Sequence, residues 1–513
     1  MKNKLRFFII LLLPFVLKYF FVLVFGNYQG LSFIDLFEDC IFLLVVFLLF
    51  NLSNNKYFHL TVILANVIYF LLEGASYLTV SSNFSSSYMY VLIESSKGEL
   101  KEFLSSYNSL VVIIFVVLII TPFFLFKKRF FFQNRLKSFY SVVIIILLVL
   151  GLKLTGYIEN NVYHNVVRGV YGYYQLQNNF KLDNSVKKED IKLLKNNDVL
   201  VIVLGESTTR QHMQLYGYKR ETTPFLNAFK DSLFVYRDVI SSDVITTKSL
   251  PKMLTSLDCN LKEDNLQSSI INIFKVLGIK TYWLSNQRPI GYFDNRISKI
   301  ASNTQYFKFF NHVDEVNTLS YDEVIIPEYE RILHEKGKKV IFLHLIGTHF
   351  DYQNRYTKKY EKFGKLKQSE KQEIINHYDN AVLYNDFVVK SIMESLKNIK
   401  GKRALIYVSD HGENVYDEGD FFGRTETNLK KVMFDIPFLV WTSKDFELPD
   451  DFEYAPNRKF MADRLYESLG HLFGVKHEDM DFSKSIFSNT FKERKRIVVN
   501  GIDYDDVFEK KNE

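Results

Sequence analysis

The sequence predicts a membrane-spanning helical part followed by an α/β domain, and three observations carry that reading. Five apolar stretches of membrane-crossing length crowd the first third of the 513 residues. From Asp198 the pattern changes to short, wholly apolar runs alternating with longer segments of helical period. Several of those runs stop abruptly at polar residues able to bind a metal ion. The expected organisation is five transmembrane helices over 1–156, a membrane-surface linker over 157–195, and an outer α/β/α domain with a mostly parallel central sheet over 196–513.

The apolar stretches are roughly Leu5–Phe25, Leu36–Leu52, His59–Leu78, Leu110–Phe126 and Phe139–Leu154. About 20 apolar residues cross a bilayer as a helix. Lys2, Lys4 and Arg6 flank the first stretch, Lys56 follows the second, and Lys127, Lys128, Arg129, Arg135 and Lys137 follow the fourth. The intervening loops on the other side carry only Lys97 and Lys101. The positive-inside rule then expects a cytoplasmic amino terminus, with everything after residue 155 on the far side. The first stretch reads as an anchor and not a cleaved signal peptide, since no small-residue cleavage site follows it and four more stretches do.

Between the third and fourth stretches, "SSKGELKEFLSSY" has the pattern of an amphipathic helix lying on the membrane surface. In the linker, Tyr163, Tyr171, Tyr173 and Tyr174 fit either a segment riding at headgroup level or an ordinary tether. The chain's net charge of +6 is small for its length and argues against a nucleic-acid partner. Cys40 and Cys259 are the only cysteines, which rules out a disulfide framework.

In the outer part, "VLVIVLG", "TYWLS", "KVIFLHLIG", "ALIYVSD" and "PFLVWTS" read as buried strands. Segments such as "SEKQEIINHYDNAVLYNDFVVKSIMESLKNI" read as covering helices. Wholly apolar strands alternating with helices mean a largely parallel sheet covered on both faces. The strand endings are Gly205-Glu206-Ser207-Thr208, Gly347-Thr348-His349 and Ser409-Asp410-His411. In a parallel sheet they share one rim, where α/β folds carry their sites. Glu206, Asp410 and His411 together offer two carboxylates and an imidazole, a ligand set that leaves a position open as catalytic zinc requires. Singly, each has a plainer reading: Glu206 as a helix cap, His349 as a turn histidine. Thr246, Thr247 and Ser249, in "DVITTKSLPKML", begin a helix and supply candidate nucleophiles. A helix amino terminus offers N–H groups to phosphate oxygens, and a metal lowers a hydroxyl's pKa. Phosphoryl transfer fits this chemistry best.

These segments, with "VLGESTTRQHMQLYGYKRETTPFL", "HLIGTHFDYQNRY" and "HYDNAVLYND", resemble the membrane-bound phosphoethanolamine transferases of the alkaline phosphatase/sulfatase superfamily. The likeness is to the branch that decorates a heptose of the lipopolysaccharide core. The resemblance implies a zinc ion held by Glu206, Thr246, Asp410 and His411, with Thr246 as nucleophile. It implies His349 as a residue that binds or protonates the phosphate, and Asn286 as a member of the phosphate pocket. It also implies phosphatidylethanolamine as donor, lipopolysaccharide as acceptor (core sugar or lipid A), and a multi-pass inner-membrane protein with its catalytic domain in the periplasm. Manganese or magnesium in place of zinc, and a second metal, stay open.

Two departures stand out. Lipid A-type members carry a further histidine where this chain reads "DEGDFFGRTETN", which leaves Arg424 as a candidate for holding phosphate. Ser242 and Lys252 occupy the places of the cysteines that flank their nucleophile. A phosphoglycerol transferase of the lipoteichoic acid synthase type and a catalytically inactive scaffold are the alternatives. The Cys/Ser-x-Pro-x-Arg motif of a formylglycine sulfatase is absent.

Overall fold

The structure is a computed structural model that describes all residues except 1, 26–32, 54, 81–82, 85, 95–108, 125–137, 157, 159–160, 258, 260–266, 288–295, 312–318, 365–368 and 510–513. The expected surface helix at 95–107 lies outside the described residues, as do Lys97, Lys101, Lys127, Lys128, Arg129, Arg135 and Lys137. Two compact units divide the chain: one runs to Tyr174 and also takes in Thr425–Asn428, and the other comprises Gln175–Arg424 and Leu429–Glu513.

The first unit is helical. It contains α1 (Lys2–Phe25), α2 (Phe33–Leu49), α3 (Lys56–Val80), α4 (Ser87–Glu94), α5 (Ser109–Phe124), α6 (Ser138–Thr155) and the start of α7 (Val162–Asn179). A helix stands at each of the five apolar stretches. By length and composition, two among the described residues are long and apolar enough to cross a membrane: Lys56–Leu78 within α3, with mean hydropathy 1.6, and α6, with 2.2. The five-span expectation is thus not met on that criterion. The reason is local: α2 has 17 residues and carries Asp35, Glu38 and Asp39, and α5 has 16 residues. On α6, Phe139, Ile146, Leu147 and Leu154 are exposed, as lipid-facing side chains are.

Phe21, Val46, Val67, Phe70, Phe115 and Ile119 form the core of this unit. At Gly74 the helices approach so closely that a Cβ would sit 2.3 Å from the Phe115 ring. Charges are buried inside as well. Lys18 Nζ lies 2.5 Å from Asp39 Oδ2 and 4.0 Å from Glu73 Oε1, while the Tyr69 hydroxyl and Asn161 Nδ2 donate to Glu38. The sequence reading weighed charges flanking the stretches and missed these within them.

Within the stretch read as a linker, α7 spans 18 residues. Asn161 starts this helix by accepting the N–H groups of Tyr163 and His164 at its side-chain oxygen. Val162 is buried, Asn165 donates to the Phe84 carbonyl, and Tyr163 donates to the Ala65 carbonyl. Tyr173 is buried, while Tyr171 and Tyr174 are exposed.

The second unit is built on seven strands. In chain order they are β1 (Val199–Gly205), β2 (Phe234–Tyr236), β3 (Lys280–Ser285), β4 (Tyr306–Phe309), β5 (Lys339–His344), β6 (Arg403–Ser409) and β7 (Phe438–Thr442). Their spatial order is β2-β7-β6-β1-β5-β3-β4, and only β7 runs antiparallel to its neighbours. Every residue of the central β1 is buried. Each buried Val, Leu or Ile stabilises the sheet by about 1.5–3 kcal/mol, which is why the run tolerates no polar residue.

Three helices flanking the sheet matter for the site: α8 (Thr246–Leu254), α9 (Glu370–Asn398) and α10 (Leu465–Phe473). Leu250 and Met253 of α8 and Leu465 and Leu469 of α10 share one core with Leu200, Ile202, Leu204 and Phe342. The other face meets α9, whose Asn385 donates to the Tyr407 hydroxyl at 2.6 Å. The layers are therefore α/β/α.

Candidate metal centre

Register brings the two chemical strand endings together. β1 and β6 pair in parallel from Val199↔Arg403 to Gly205↔Ser409, so the next residue on each strand is Glu206 and Asp410. The Asp410 N–H extends the ladder by donating to the Gly205 carbonyl. Residues far apart in the chain become neighbours because strand length and register coincide.

Close backbone contacts then aim the side chains. Ser207 adopts a left-handed φ of 57°, which turns the chain directly after Glu206. Gly347, at φ 55°, lies on the Glu206 backbone; a Cβ there would meet the Glu206 oxygen at 2.7 Å. Gly412 passes so near the Val432 carbonyl that a Cβ would stand 2.1 Å from it. Both glycines of the "DHG" and "GTH" segments are thus required by space, the first also by its neighbour Asp435.

Asp410, His411 and Glu206 are all buried, and their ligand atoms lie within 4.8 Å of one another. Asp410 Oδ1 accepts the N–H groups of Ser207 and His411 at 3.2 and 2.7 Å, while Oδ2 has no donor among the described residues. His411 Nδ1 donates to the Gly412 carbonyl at 2.8 Å, so the lone pair belongs to Nε2. That nitrogen faces Glu206 Oε1 at 3.2 Å, Asp410 Oδ2 at 3.3 Å and Thr246 Oγ1 at 3.2 Å. The Thr246 hydroxyl donates to Glu206 Oε2 at 2.8 Å.

Four polar atoms gathered in an interior in this way could hold a cation. A tetrahedral zinc with ligands at ~2.0–2.1 Å separates its donors by about 3.3 Å, and the three distances from His411 Nε2 match that edge, while the Thr246–Glu206 pair is closer at 2.8 Å. Electrostatics agree. Burial works against ionising Glu206, yet His411, His349 and Arg424 hold it well below the carboxylate range. Burial and the charge of Glu206 push Asp410 up. Burial opposes charge on His411, but Asp410 outweighs it and raises the ring. A divalent ion would settle both carboxylates in their charged forms.

The remaining predicted residues fall out unevenly. Thr246 is the first residue of α8, and its hydroxyl reaches the cluster; the Thr247 hydroxyl is buried without a hydrogen-bond partner, and Ser249 turns back to the Thr246 carbonyl. Arg424 borders the cluster, donating to Ser207 Oγ at 2.9 Å and to Glu413 at 3.1 Å, with Nη2 3.6 Å from Glu206. His349 Nδ1 donates to the Phe350 carbonyl at 2.6 Å, and its charge acts on Glu206.

The Asn286 amide donates to Ser320 O and Asp322 and accepts from the Ser320 hydroxyl, so its polar atoms are engaged within the loop. The adjacent Gln287 reaches the site, donating to the Leu345 carbonyl and 3.4 Å from Glu206 Oε2. Its place at the end of β3 was the available signal. Glu413, which accepts from both the Tyr352 hydroxyl and Arg424, was likewise missed, although it follows the Asp-His-Gly run.

An α/β/α fold with a buried Glu/Asp/His cluster and a threonine at a helix start defines a class, and sequence comparison agrees. The family described as Sulfatase matches residues 198–474, more than half the chain, and this protein belongs to that family. Among its relatives, phosphoethanolamine transferase EptC of Escherichia coli (strain K12) is 35% identical over 330 residues, 60% of this chain and 57% of that protein. The chain therefore spans little more than half the length of that relative. The crystal structure of the C-terminal periplasmic domain of EptC from Escherichia coli, in complex with Zn, superposes with a TM-score of 0.59 at 34% identity, covering 62% of this chain and 96% of that one. The integral membrane protein lipooligosaccharide phosphoethanolamine transferase A (EptA) from Neisseria meningitidis shares the fold over 94% of this chain and 97% of its own, with a TM-score of 0.72 at 19% identity.

Proposed function

We propose that this protein transfers phosphoethanolamine from phosphatidylethanolamine to lipopolysaccharide through a covalent intermediate on Thr246. The observation that carries the reading is the meeting of Glu206, Thr246, Asp410 and His411, with His411 Nε2 at 3.2–3.3 Å from each of the others and Thr246 at 2.8 Å from Glu206. The EptC and EptA relatives support the choice of group transferred. In this reading the first unit is a five-helix bundle in the inner membrane, and residues 196–513 form the periplasmic catalytic domain beyond a linker at 157–195. Domain and lipid substrates then share one surface, which replaces a search through bulk solution.

Glu206, Thr246, Asp410 and His411 would hold one zinc ion, which would supply Lewis acidity toward the phosphoryl oxygen and lower the pKa of the Thr246 hydroxyl. Thr246 Oγ attacks phosphorus, the bond to diacylglycerol breaks, and the threonine carries phosphoethanolamine. His349 passes a proton through Nε2 to the departing diacylglycerol oxygen and later takes one from the acceptor hydroxyl. Arg424, at the edge of the cluster, offers its guanidinium to the phosphate.

The test uses the purified full chain in detergent with headgroup-labelled phosphatidylethanolamine. The expected result is a phosphoethanolamine adduct mapped by mass spectrometry to Thr246 and missing from Thr246→Ala. An adduct on another residue, or a glycerol phosphate adduct from phosphatidylglycerol, refutes the assignment. Mass spectrometry of lipopolysaccharide from cells with and without the gene then names the acceptor.

A further inference from the structure

The segment after Glu206 contains a buried histidine that the reaction does not use. His212 is 2% exposed, and both of its ring nitrogens face carboxylates. Nδ1 lies 2.5 Å from Asp379 Oδ1 on α9, and Nε2 lies 3.0 Å from Asp417 Oδ1. A neutral imidazole carries one N–H and one lone pair, so it can satisfy only one of these partners. The other would face a carboxylate lone pair to lone pair, inside the protein. Only the imidazolium fits both.

Its surroundings are otherwise charge-matched. Asp379 Oδ2 accepts from Arg220 Nη1 at 2.6 Å and from the Tyr218 hydroxyl at 3.0 Å, which leaves Asp417 for the ring. Tyr218 and Tyr378 pack on the imidazole, with ring centroids at 4.7 and 5.0 Å. Burial disfavours the charged ring, but the two carboxylates outweigh it and hold His212 up at about 9.

What the ring ties down is the rim of the metal centre. Asp417 also accepts the Val415 N–H, within the turn of a hairpin in which Asn414–Val415 pairs with Phe422–Gly423. Glu413 precedes that hairpin and Arg424 follows it, and the two side chains meet at 3.1 Å beside Glu206. On the other side, Tyr378, next to Asp379, accepts the Thr209 N–H and donates to the Ser207 carbonyl. We infer that His212 is a permanently protonated positioning residue, an ionic rivet joining α9 to the hairpin that holds Arg424 against the metal cluster. The role lies apart from the metal ligands: the ring touches none of them.

The charge state is read first, on the protein alone. Full-length protein with ring-labelled 15N histidine is titrated in detergent with zinc bound, and His212→Gln assigns the resonance. Both ring nitrogens are expected to carry protons at about pH 7.5, above the free histidine value of about 6.5. Asp417→Asn is expected to lower the pH of deprotonation by roughly one unit, because one of two charge partners is gone. A neutral ring at that pH, or a titration that ignores Asp417→Asn, overturns the inference.

The kinetic arm rests on the phosphoethanolamine reading and uses labelled phosphatidylethanolamine as the probe. His212→Gln and Asp417→Asn should each lower kcat about tenfold, the size of effects seen when a supporting group behind an active site is removed. The donor KM and the zinc content should stay near wild type, and the double variant should be no worse than either single one. Wild-type kcat in either variant, or loss of zinc with loss of activity, overturns it. Should the wild-type protein form no adduct at all, the reaction assignment fails while the titration still decides the rivet.

Discussion

Replacing Gly347 with alanine tests how tightly the fold dictates the metal centre. The backbone there has φ 55°, and an added methyl would sit 2.7 Å from the Glu206 carbonyl oxygen and 2.9 Å from its nitrogen. Both clashing atoms are backbone, so neither can swing aside as a side chain would. A left-handed alanine costs ~1–2 kcal/mol, and overpacking in a filled interior costs ~1–3 kcal/mol. Together they predict a loss of roughly 2–5 kcal/mol.

The strain falls on Glu206, which the proposed function makes a metal ligand. Relief requires the Glu206 backbone to move by several tenths of an ångström, since ordinary carbon contacts begin near ~3.5 Å. Metal sites tolerate about 0.2 Å in ligand distance, so zinc affinity should fall about 10–100-fold. Gly337 is the control: it also has a left-handed φ of 97°, but its Cβ direction is open. Gly337→Ala should show only the backbone cost and keep zinc affinity. The assays are thermal unfolding of the zinc-free protein and zinc titration of the folded one. If Gly347→Ala and Gly337→Ala prove equal in both, the link between this glycine and the metal ligand is wrong.

Three further outcomes follow from the same coordinates. Asp410→Asn should stabilise the zinc-free protein at pH 8 relative to wild type, while abolishing the stabilisation that zinc adds. The sign follows because burial and Glu206 raise Asp410 above its unfolded value of about 3.9, so its ionisation costs stability as pH rises; an equal zinc response in both proteins would refute it. His344 is buried and driven down to about 4, so stability should fall as pH drops from about 6.5, the unfolded value, toward 4. The swing is about 3 kcal/mol, and His344→Leu should remove that share of the acid loss, read by denaturant unfolding at both pH values. Lys18→Met in the first unit leaves Asp39 and Glu73 buried without their cation, at a cost of about 3–5 kcal/mol, measured as folded yield in detergent.

Much of the site was legible because parallel sheets put strand ends on one rim. The apolar run "VLVIVLG" had to be a buried strand, and so did "ALIYVS"; the polar residues that stop them therefore had to share an edge. Asp410, His411, Glu206 and Thr246 were readable on that ground together with the family likeness. Gln287 shows the limit of the method. It and Asn286 are equally polar and adjacent, and nothing in the order of residues says which side chain the turn after β3 will direct at Glu206. The chain's own Ser320 and Asp322 took Asn286, a choice made by a loop packing against it.

The same boundary runs through the rest of the molecule. Hydrophobic period and length are properties of single segments, so strands, helices and the five apolar stretches could be located from the sequence of residues alone. Register, ring tautomer and charge pairing are properties of segments that meet. No local pattern announces that His212 will lie between Asp379 and Asp417, or that Lys18 will face Asp39 inside a bundle of apolar helices. Those partners lie tens to hundreds of residues apart, and only the packed chain brings their charges within reach of one another.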